Sequence, residues 1–517
     1  MLDFIKRLLH RKSAIIGVGI AVFFTLIAVL APVLTVYPNA YQPQAWYAST
    51  PYSMPAWIRY LPGLSHYSTT LYLPSNPVAE FKSPGSLKAW NISTLGGTRG
   101  VSVTLNTTYG PSGIQAQRLA STLINTGPGS LQIVAVGPTN TNITLTYSFR
   151  YTGLPTDLYV QYATNPVVKG SGIMSIEGYL VNPQHRVFWV LDSGTTATLN
   201  SSSAFQPLVG GGWQLVSAGT LSPSTMPWSQ SIPLSELPFA ARVFSQQAFS
   251  HSGVYTFRLT VNVDLPKGSA AKVYLSDVRI VVFGQTFGLL GTDNNGASVW
   301  SEFVYGARTS LLIGFIASVL IVVIGLMFGL IAGYFGGAFD MVLVAINDIL
   351  LVIPFLPLLI TLGTLVFVLH INIGKVYLII ILISLLSWPG TARIIRSQTL
   401  SLRNRAYVKA SAGFGAGWPH IVFRHILPEL AGILFAQLAI DVPAVIGIEA
   451  GLDFLGLGIT GFPTWGNMIG FASSLFSAQN AFLWWWILPP GLGLTVLGVA
   501  FYSLGEAVRQ EITVRRK

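Results

Sequence analysis

Four carboxylates lie in or near apolar stretches of this sequence and are its strongest candidates for a functional role: Asp348, Asp441, Glu449 and Asp453. An ionised group at membrane depth costs about 3 kcal/mol or more unless it faces a cavity or a partner. We therefore predict one of two roles for them. They either form a polar pathway wall or gate, or make structural hydrogen bonds at helix ends and subunit interfaces. The residues alone leave both interpretations open.

Other kinds of chemistry are excluded or disfavoured by residue types and spacing. The 517 residues contain no cysteine, which excludes disulfide scaffolds, thiol catalysis, iron–sulfur clusters and Cys-ligated zinc. His420 and His425 come closest to a ligand spacing, but an i,i+5 separation is poor for one helix face. No phosphate-binding G-x-x-x-x-G-K-[ST] motif occurs. We predict no metal site, no catalytic residue and no ATP hydrolysis by this chain, which is not expected to be an enzyme.

The composition indicates that these residues belong to a membrane protein. Hydrophobic residues make up 51% of the chain and charged residues only 9%, whereas soluble domains carry about 25% charged residues. Six stretches are apolar and reach the length of about 20 residues that crosses the hydrocarbon core. These predicted spans are 13–36, 309–334, 341–369, 376–395, 430–457 and 483–504. In the second span, the repeat of Gly325, Gly329 and Gly333 predicts a small-residue face for close helix packing.

The net charge of +11 indicates membrane topology rather than nucleic-acid binding. If the N-terminus is inside, six spans leave residues 37–300 extracellular and both termini cytoplasmic. The predicted inside segments then carry 14 basic and 5 acidic residues, as the positive-inside rule requires. We predict a multi-pass protein of the cell membrane that has no nucleic-acid partner.

A long stretch rich in Ser, Thr, Gly and Asn separates the first two spans. Alternating β-type runs between turn residues are typical of an antiparallel sandwich. Residues 254–284 resemble the closing strands of jelly-roll, carbohydrate-binding-like domains. The N-x-S/T sequons at Asn91, Asn106, Asn142 and Asn200 all fall here. They are candidate N-glycosylation sites that favour an outside location, although a Ser/Thr-rich region also produces sequons by chance.

The predicted fold is a polytopic α-helical membrane protein of six transmembrane helices. A large extracellular all-β, sandwich-like domain is inserted between helices 1 and 2. The expected divisions are a cytoplasmic N-terminus with helix 1 (1–36), the β-rich domain (37–284), an outer membrane-edge connection (285–308), a five-helix core (309–508) with a cytoplasmic loop (396–429), and a basic cytoplasmic tail (509–517).

The loop at 396–429 is basic, rich in small residues and long enough for short helices under the membrane. A basic helix that touches anionic lipid is one interpretation. Within the loop, Lys409-Ala410-Ser411, then Gly415, then Leu427-Pro428 match the E-A-A-x-x-x-G…L-P loop of ABC importer permeases. The flanking residues resemble the oligopeptide/dipeptide type of these permeases in particular.

Further motifs resemble the same family, in the same order along the chain. They are GTDNNG (291–296) with SEFVYGARTSL (301–311), AGYFGG (332–337), NDILLVIP (347–354), EAGLDFLGLGI (449–459) with TWGNM (464–468), and WWWILPPG (484–491). The resemblance covers about residues 285–510 and the N-terminal span. It leaves the β-rich stretch outside.

This resemblance implies an importer-permease fold and a division of labour between subunits. A coupling helix in the loop would seat in a groove of a separate ATPase subunit. The implied coupling residues are Arg405, Tyr407, Lys409, Ala410, Ser411, Gly415, Leu427 and Pro428. The implied partners in the lipid bilayer are a second homologous permease, two ATPase subunits that bind ATP and Mg²⁺, and an extracellular substrate-binding protein. The chain itself would carry no cofactor.

Two departures from the family pattern change these expectations. Lys409 stands where the family has Glu, so any contact of that carboxylate is absent or reversed. Ala297, Ser298 and Glu302 replace the usual Arg, Asp and Arg. A charged lock at the outer membrane edge is therefore not expected in this chain.

We predict that the chain forms half of the translocation path of an ATP-driven importer, with di- and oligopeptides as the expected cargo. Oligosaccharides are the alternative cargo, which a carbohydrate-binding-like outer domain would favour. A polytopic surface receptor that transports nothing is the alternative from another class. The outer domain would bind ligand, dock the binding protein or seal the mouth of the path.

Overall fold

The computed structural model describes residues 11–35, 41, 45, 48–96, 100–111, 128–192, 197–207, 214–219, 247–370, 374–455, 461–479 and 483–515. The chain forms two compact units. The helical unit comprises Met1–Asn39 and Ser301–Lys517, and the β-rich unit comprises Ala40–Trp300. The predicted span ends at residues 36 and 457 lie outside the described residues.

The helical unit is built from long apolar helices and a few short ones. The main helices are α1 Lys12–Val29, α2 Val299–Phe335, α3 Gly337–Val352, α4 Phe355–Val368, α5 Lys375–Arg403, α6 Ala406–Gly413, α7 Leu427–Phe454, α8 Trp465–Gln479 and α9 Trp484–Arg515. Shorter turns are Ala31–Leu34, after α1, and Trp418–Ile421, which a π turn, Val422–Ile426, connects to α7. Helix α2 begins ten residues before the predicted span, inside the predicted outer connection.

Four helical stretches among the described residues are long and apolar enough to cross a membrane. They are Val299–Phe335, Lys375–Arg403, Trp418–Phe454 and Trp484–Val508. The pair of α3 and α4 is a fifth candidate, and the apolar helix Ser13–Val29 is shorter. The polytopic helical architecture is therefore confirmed, whereas the count of six spans stays a prediction.

The predicted span at 341–369 is not one continuous helix. The chain bends by 91° between Gly337–Val352 and Phe355–Val366. A proline disfavours helical backbone at the residue before it, and Ile353, which precedes Pro354, is extended at φ −69° and ψ 130°. The interval therefore holds two helices, α3 and α4, which meet at a sharp bend.

The small-residue face of α2 packs closely against α5. A Cβ added to Gly325 would lie 2.8 Å from Thr391 Cβ, and one added to Gly329 would lie 2.7 Å from the Ala392 carbonyl oxygen. Gly333 is equally close to the next turn of α5. Because atoms do not approach so closely, a side chain at these positions would push the two helices apart.

The β-rich unit is one hydrogen-bonded sheet of antiparallel strands. They are β1 Leu71–Leu73, β2 Asn91–Gly96, β3 Val101–Asn106, β4 Ser130–Val136, β5 Thr139–Tyr151, β6 Asp157–Val181, β7 Val187–Asp192, β8 Ala197–Pro207, β9 Gln214–Gly219, β10 Gly253–Leu265 and β11 Ala270–Phe283. The order is β2-β5-β10-β6-β11-β4-β3, while β1 pairs with β11, and β7, β8 and β9 pair with β6. Short helices occupy Ala56–Tyr60, Asn76–Ala79 and Pro84–Ala89.

Strand β6 joins the two halves of this sheet. Residues 157–169 of β6 pair with β11, and residues 173–181 pair with β10. Between them, Gly170 has φ +90°, a conformation that favours glycine. A Cβ on Gly172 would lie 2.7 Å from the Asp264 carbonyl oxygen. Buried side chains from both halves form one hydrophobic core, as in sandwiches.

Candidate functional site

Helix α6 occupies the middle of the connection between the spanning helices α5 and α7. Arg405, which is extended at φ −69° and ψ 146°, separates α6 from α5. At the other end, Gly415 has φ +86°, a left-handed conformation that favours glycine. The N–H of Phe414 donates to the Ala410 carbonyl at 3.0 Å and closes the last turn. The helix therefore ends at a glycine that redirects the chain.

One buried side chain holds α6 in place. Val408 is 3% exposed and is the sole buried residue of this eight-residue helix. It belongs to an apolar cluster, called here the anchor cluster, which consists of Val408, Ile395, Leu402, Ile421, Ile426 and Leu430. A helix this short is not stable alone. The anchor cluster therefore fixes α6 to α5 and to the start of α7, so a displacement of α6 reaches both spanning helices.

His425 fastens α6 to the segment that precedes α7. Its Nε2 lies 3.3 Å from Ser411 Oγ, and its ring packs edge-on against Tyr407 at a centroid distance of 6.0 Å. The His420 ring lies 5.5 Å from that of His425, because the π turn Val422–Ile426 brings residues five apart onto one face. The sequence argument against an i,i+5 pair is therefore wrong on geometry. No cluster of three or more potential metal ligands occurs among the described residues.

The opposite face of this region is exposed and aromatic. Phe414 is 93% exposed, and Tyr407, Trp418 and Phe423 are also exposed. Among the predicted coupling residues, the exposed ones are Arg405, Tyr407, Lys409, Ala410, Gly415 and Pro428, while Ser411 and Leu427 are half-buried. Sequence reasoning missed Phe414. The sequence feature that could have indicated it is its position between two glycines, in a short connection where the side chain is not expected to be buried.

The same stretch of chain, 403–424, also carries exposed basic residues: Arg403, Arg405, Lys409 and Arg424. Within the part of the chain that the structure describes, no ion pair compensates them. Arg405 and Lys409 are i,i+4 neighbours, and like charges at this spacing destabilise a helix by about 0.2–0.5 kcal/mol. A surface that combines exposed aromatic rings with uncompensated positive charge is complementary to an acidic protein partner.

Two of the four predicted pathway carboxylates lie on different helices. Asp348 of α3 is exposed and forms an ion pair with Arg393 of α5, at 2.6 Å between Oδ1 and Nη2. Asp441 of α7 is half-buried and accepts hydrogen bonds from Gln437 at 2.9 Å and Thr391 at 3.4 Å. Both carboxylates therefore connect α5 to a neighbouring helix, and they do not meet in one site.

Glu449 and Asp453 lie one turn apart in α7, and both are buried. Ser310 of α2 donates to Glu449 at 3.3 Å, and the hydroxyl of Thr464 donates to Asp453. The backbone N–H of Trp465, at the start of α8, donates to Ser310 Oγ at 3.3 Å. The two carboxylates therefore belong to a buried polar cluster that joins α2, α7 and α8.

Glu302 is buried at the beginning of α2, where the family pattern has an arginine. Its carboxylate accepts the indole N–H of Trp486 at 2.6 Å. Trp486 is the last of three consecutive tryptophans, Trp484–Trp486, at the start of the spanning helix α9. Consecutive tryptophans at the end of a span are typical of the membrane–water interface. The start of α2 is thus tied to α9 at interface level.

The candidate glycosylation sites lie on different strands. Asn91 of β2 and Asn142 of β5 are exposed. Oδ1 of Asn106 accepts the backbone N–H of Thr108 at 3.0 Å and its hydroxyl at 2.9 Å. Asn200 is in β8, and its side chain lies outside the described residues. Asn91 and Asn142 are therefore the accessible acceptors among the described side chains.

Four long apolar helices among the described residues, with the short, anchored helix α6 between two of them, are the architecture of a polytopic membrane protein. Two family models match the chain. Residues 325–514 match the binding-protein-dependent transport system inner membrane component, and residues 1–55 match the N-terminal transmembrane domain of oligopeptide transport permease C.

Relatives with a known role support the same assignment. The oligopeptide transport system permease protein OppC of Lactococcus lactis is 34% identical over 223 residues, which are 43% of this chain and 74% of the relative. The dipeptide transport system permease protein DppC of Bacillus subtilis is 34% identical over 223 residues, 43% of this chain and 67% of the relative. The chain belongs to this family of ABC importer permeases, and the predicted family is confirmed.

Among solved structures, an inward-facing MetNI methionine ABC transporter is similar at 22% identity and a TM-score of 0.34. The similarity covers 40% of this chain and 95% of that chain. The two family models leave residues 56–324 unmatched, and this interval contains all the strands of the β-rich unit.

Proposed function

We propose that this chain is a permease subunit of an ATP-driven importer and forms half of a translocation path for di- and oligopeptides. A second homologous permease supplies the other half, two ATPase subunits bind ATP and Mg²⁺, and an extracellular binding protein delivers the cargo. The family supports the importer role. The peptide-transport permeases among the relatives support the cargo class.

The observation that carries this proposal is the two-sided construction of α6. Its inner side is fixed by Val408 within the anchor cluster, and its outer side presents Phe414 and Lys409 to solvent. A soluble ATPase subunit binds the outer side, and the closely packed inner side transmits the movement to α5 and α7. Because Lys409 replaces the family's Glu, the groove that receives α6 has a complementary acidic side chain.

The topology that fits this role places α6 and both termini in the cytoplasm and residues 37–300 outside the cell. Six spans result if α1, α2, the α3–α4 pair, α5, α7 and α9 all cross the membrane. The 18 residues of α1 give a length of about 27 Å, close to the hydrocarbon thickness of about 30 Å. Asn91 and Asn142 are then glycan acceptors on the outer side.

Within the membrane, the exposed pair of Asp348 and Arg393 is the best candidate for the wall of the path. Both side chains are more than half exposed, so they face either the path or the second permease. Glu449 and Asp453 instead hold α2, α7 and α8 together. Asp441 links α5 and α7 and would sense a movement of α5.

Reconstitution tests the transport role and the cargo together. The complex, purified with its own ATPase subunits, is placed in proteoliposomes with its binding protein and ATP. Labelled oligopeptide and labelled oligosaccharide are offered in parallel. We expect ATP-dependent uptake of the peptide. Uptake of the oligosaccharide alone would show that the cargo is an oligosaccharide and not a peptide. A chain that purifies without any ATPase and transports neither compound would be a receptor, and the proposal would fail.

The coupling role has its own test, because two phenylalanines of similar character lie at different places. Phe414→Ala removes the exposed ring beside α6, and Phe462→Ala removes an exposed ring on the connection between α7 and α8. We expect the first change to abolish stimulation of the ATPase by loaded binding protein, and the second to leave the stimulation intact. Equal behaviour of the two variants would contradict the coupling role of the α6 surface.

A further inference from the structure

The buried polar cluster at the junction of α2, α7 and α8 has two carboxyl groups at its centre. Glu449 is 0% exposed and Asp453 is 5% exposed. The side chain of Asp453 lies within hydrogen-bonding reach of the Glu449 carboxyl group. Two ionised carboxylates in one buried site repel each other, and both have lost their hydration. The cluster therefore needs either a cation or a proton.

Two relays of hydrogen bonds supply each carboxyl group with one donor. Ser310 Oγ accepts the backbone N–H of Trp465 and donates to Oε2 of Glu449, both at 3.3 Å. Thr464 Oγ1 accepts a second backbone N–H of α8 at 3.1 Å, and the Thr464 hydroxyl donates to Oδ2 of Asp453. A hydroxyl carries a single proton. Neither relay can therefore also supply a donor between the two carboxyl groups.

The other oxygen of Glu449 marks the place where a donor is missing. Oε1 is buried and has no hydrogen-bond partner among the described residues. A buried acceptor without a donor is costly, and a charged one is more so. One proton between Glu449 and Asp453 supplies this donor. The same proton also removes one of the two negative charges.

The surrounding helices offer no base that could replace this proton. The stretches 309–339 and 454–505, which include most of α2 and all of α8, contain no charged residue and no histidine. Among the described side chains, those that interact with the Glu449 carboxyl group are Ser310, Asp453 and Thr464. The nearest other ionisable residues along these helices are Tyr305 and Arg308 of α2, Asp441 of α7 and Tyr502 of α9. Arg308 is exposed.

The direction of the relays favours a proton over a metal ion. A cation binds oxygen lone pairs, whereas both hydroxyls direct their protons to the carboxyl groups. A calcium ion takes about six to eight oxygen ligands, more than the two carboxyl groups can supply. The described residues also contain no group of three or more potential metal ligands.

We propose that Glu449 and Asp453 bind one proton between them, which makes the junction of α2, α7 and α8 a proton-binding site. Loss of this proton would leave two adjacent negative charges inside the helical unit and weaken the contact between α7 and α8. The site rests on the packing of the helical unit. It does not depend on the cargo or on the ATPase subunits.

Infrared spectroscopy of the full-length protein in lipid nanodiscs at neutral pH detects the proton directly. Only a protonated carboxyl group has the carbonyl stretching band of an acid, and this band shifts in D₂O. We expect the band in the wild type and its loss in Glu449→Gln and in Asp453→Asn. In Glu449→Gln the amide N–H supplies the missing donor, so the variant should fold. Asp441→Asn is the control, because Asp441 lies on the same helix outside the cluster, and this variant should keep the band.

A band that survives in both cluster variants would belong to another carboxyl group and overturn the proposal. A wild type without the band would also overturn it. If, in addition, sodium or calcium ions raised the melting temperature of the wild type but not that of Glu449→Gln, the ligand would be a metal ion.

The pH dependence of unfolding gives an independent measurement. Above about pH 5.5 a glutamate of the unfolded chain is ionised, so unfolding of the wild type releases the shared proton. The unfolding equilibrium constant of the wild type should then rise with pH by about tenfold per pH unit more than that of Glu449→Gln. Chemical unfolding of the full-length protein in detergent micelles measures both constants. Equal slopes for the two proteins would overturn the proposal.

Discussion

The attachment of α6 to its neighbouring helices should depend strongly on Val408, the one side chain that α6 buries. Val408→Ala removes two methyl-sized groups from the anchor cluster, in which Val408 is 3% exposed. The lost transfer free energy is about 0.8 kcal/mol per group, and the cavity that remains raises the total to about 2 kcal/mol. This free energy corresponds to a change of about 30-fold in the equilibrium between seated and detached α6.

Hydrogen exchange of the native complex measures this equilibrium directly. We expect the amides of Ala406–Gly413 in the Val408→Ala variant to exchange about 30-fold faster, since the short helix loses the packing of its one buried side chain. Stimulation of the ATPase by loaded binding protein should fall as well. Val352→Ala is the control, because Val352 is 82% exposed and the same truncation there should leave exchange in α6 unchanged.

Phe414→Ala separates anchoring from partner contact. The ring of Phe414 is 93% exposed and lies outside the anchor cluster, so its removal should leave exchange of free α6 unchanged while ATPase stimulation is lost. If Val408→Ala left the exchange rates of α6 unaltered, the argument that this valine holds the helix would be refuted. If Phe414→Ala accelerated exchange in the isolated subunit, the division into an inner and an outer side would be wrong.

Three other substitutions test the packing, the alkaline stability and the buried polar cluster. Gly329→Ala should lower the free energy of unfolding by about 1–3 kcal/mol, because its Cβ would overlap α5; Gly498→Ala, which has open space around it, should have no such effect in thermal unfolding. Burial raises the pKa of Tyr255 from about 10 to about 12. The stability that depends on keeping this phenol neutral, at most about 3 kcal/mol, is therefore complete below pH 10 and lost as the pH rises to 12. Tyr255→Phe should make the free energy of unfolding fall less steeply with pH in this range. An unchanged slope of that free energy against pH would contradict this prediction. Thr464→Val should destabilise by about 1–3 kcal/mol, because the Asp453 carboxylate loses a hydroxyl donor, whereas Thr464→Ser should keep most of the stability in the same melting assay.

The sequence predicted a polytopic helical protein with a large β-rich domain because apolar stretches of spanning length and alternating β-type runs are local patterns. It also predicted the family from short motifs. The bend at Pro354 shows the limit of this approach. The proline is visible in the sequence, but whether it kinks a span or divides it into two helices at 91° depends on the helices that pack beside it.

Tertiary structure alone decided which side chains meet. The four carboxylates look alike in the sequence, since each lies in an apolar stretch, yet Asp348 is exposed beside Arg393, whereas Glu449 and Asp453 are buried among donors from other helices. Likewise, the π turn before α7 brings His420 beside His425, which the regular helical period does not predict. Local sequence determines periodicity and helix ends, but burial and hydrogen-bond partners depend on residues far apart in the chain.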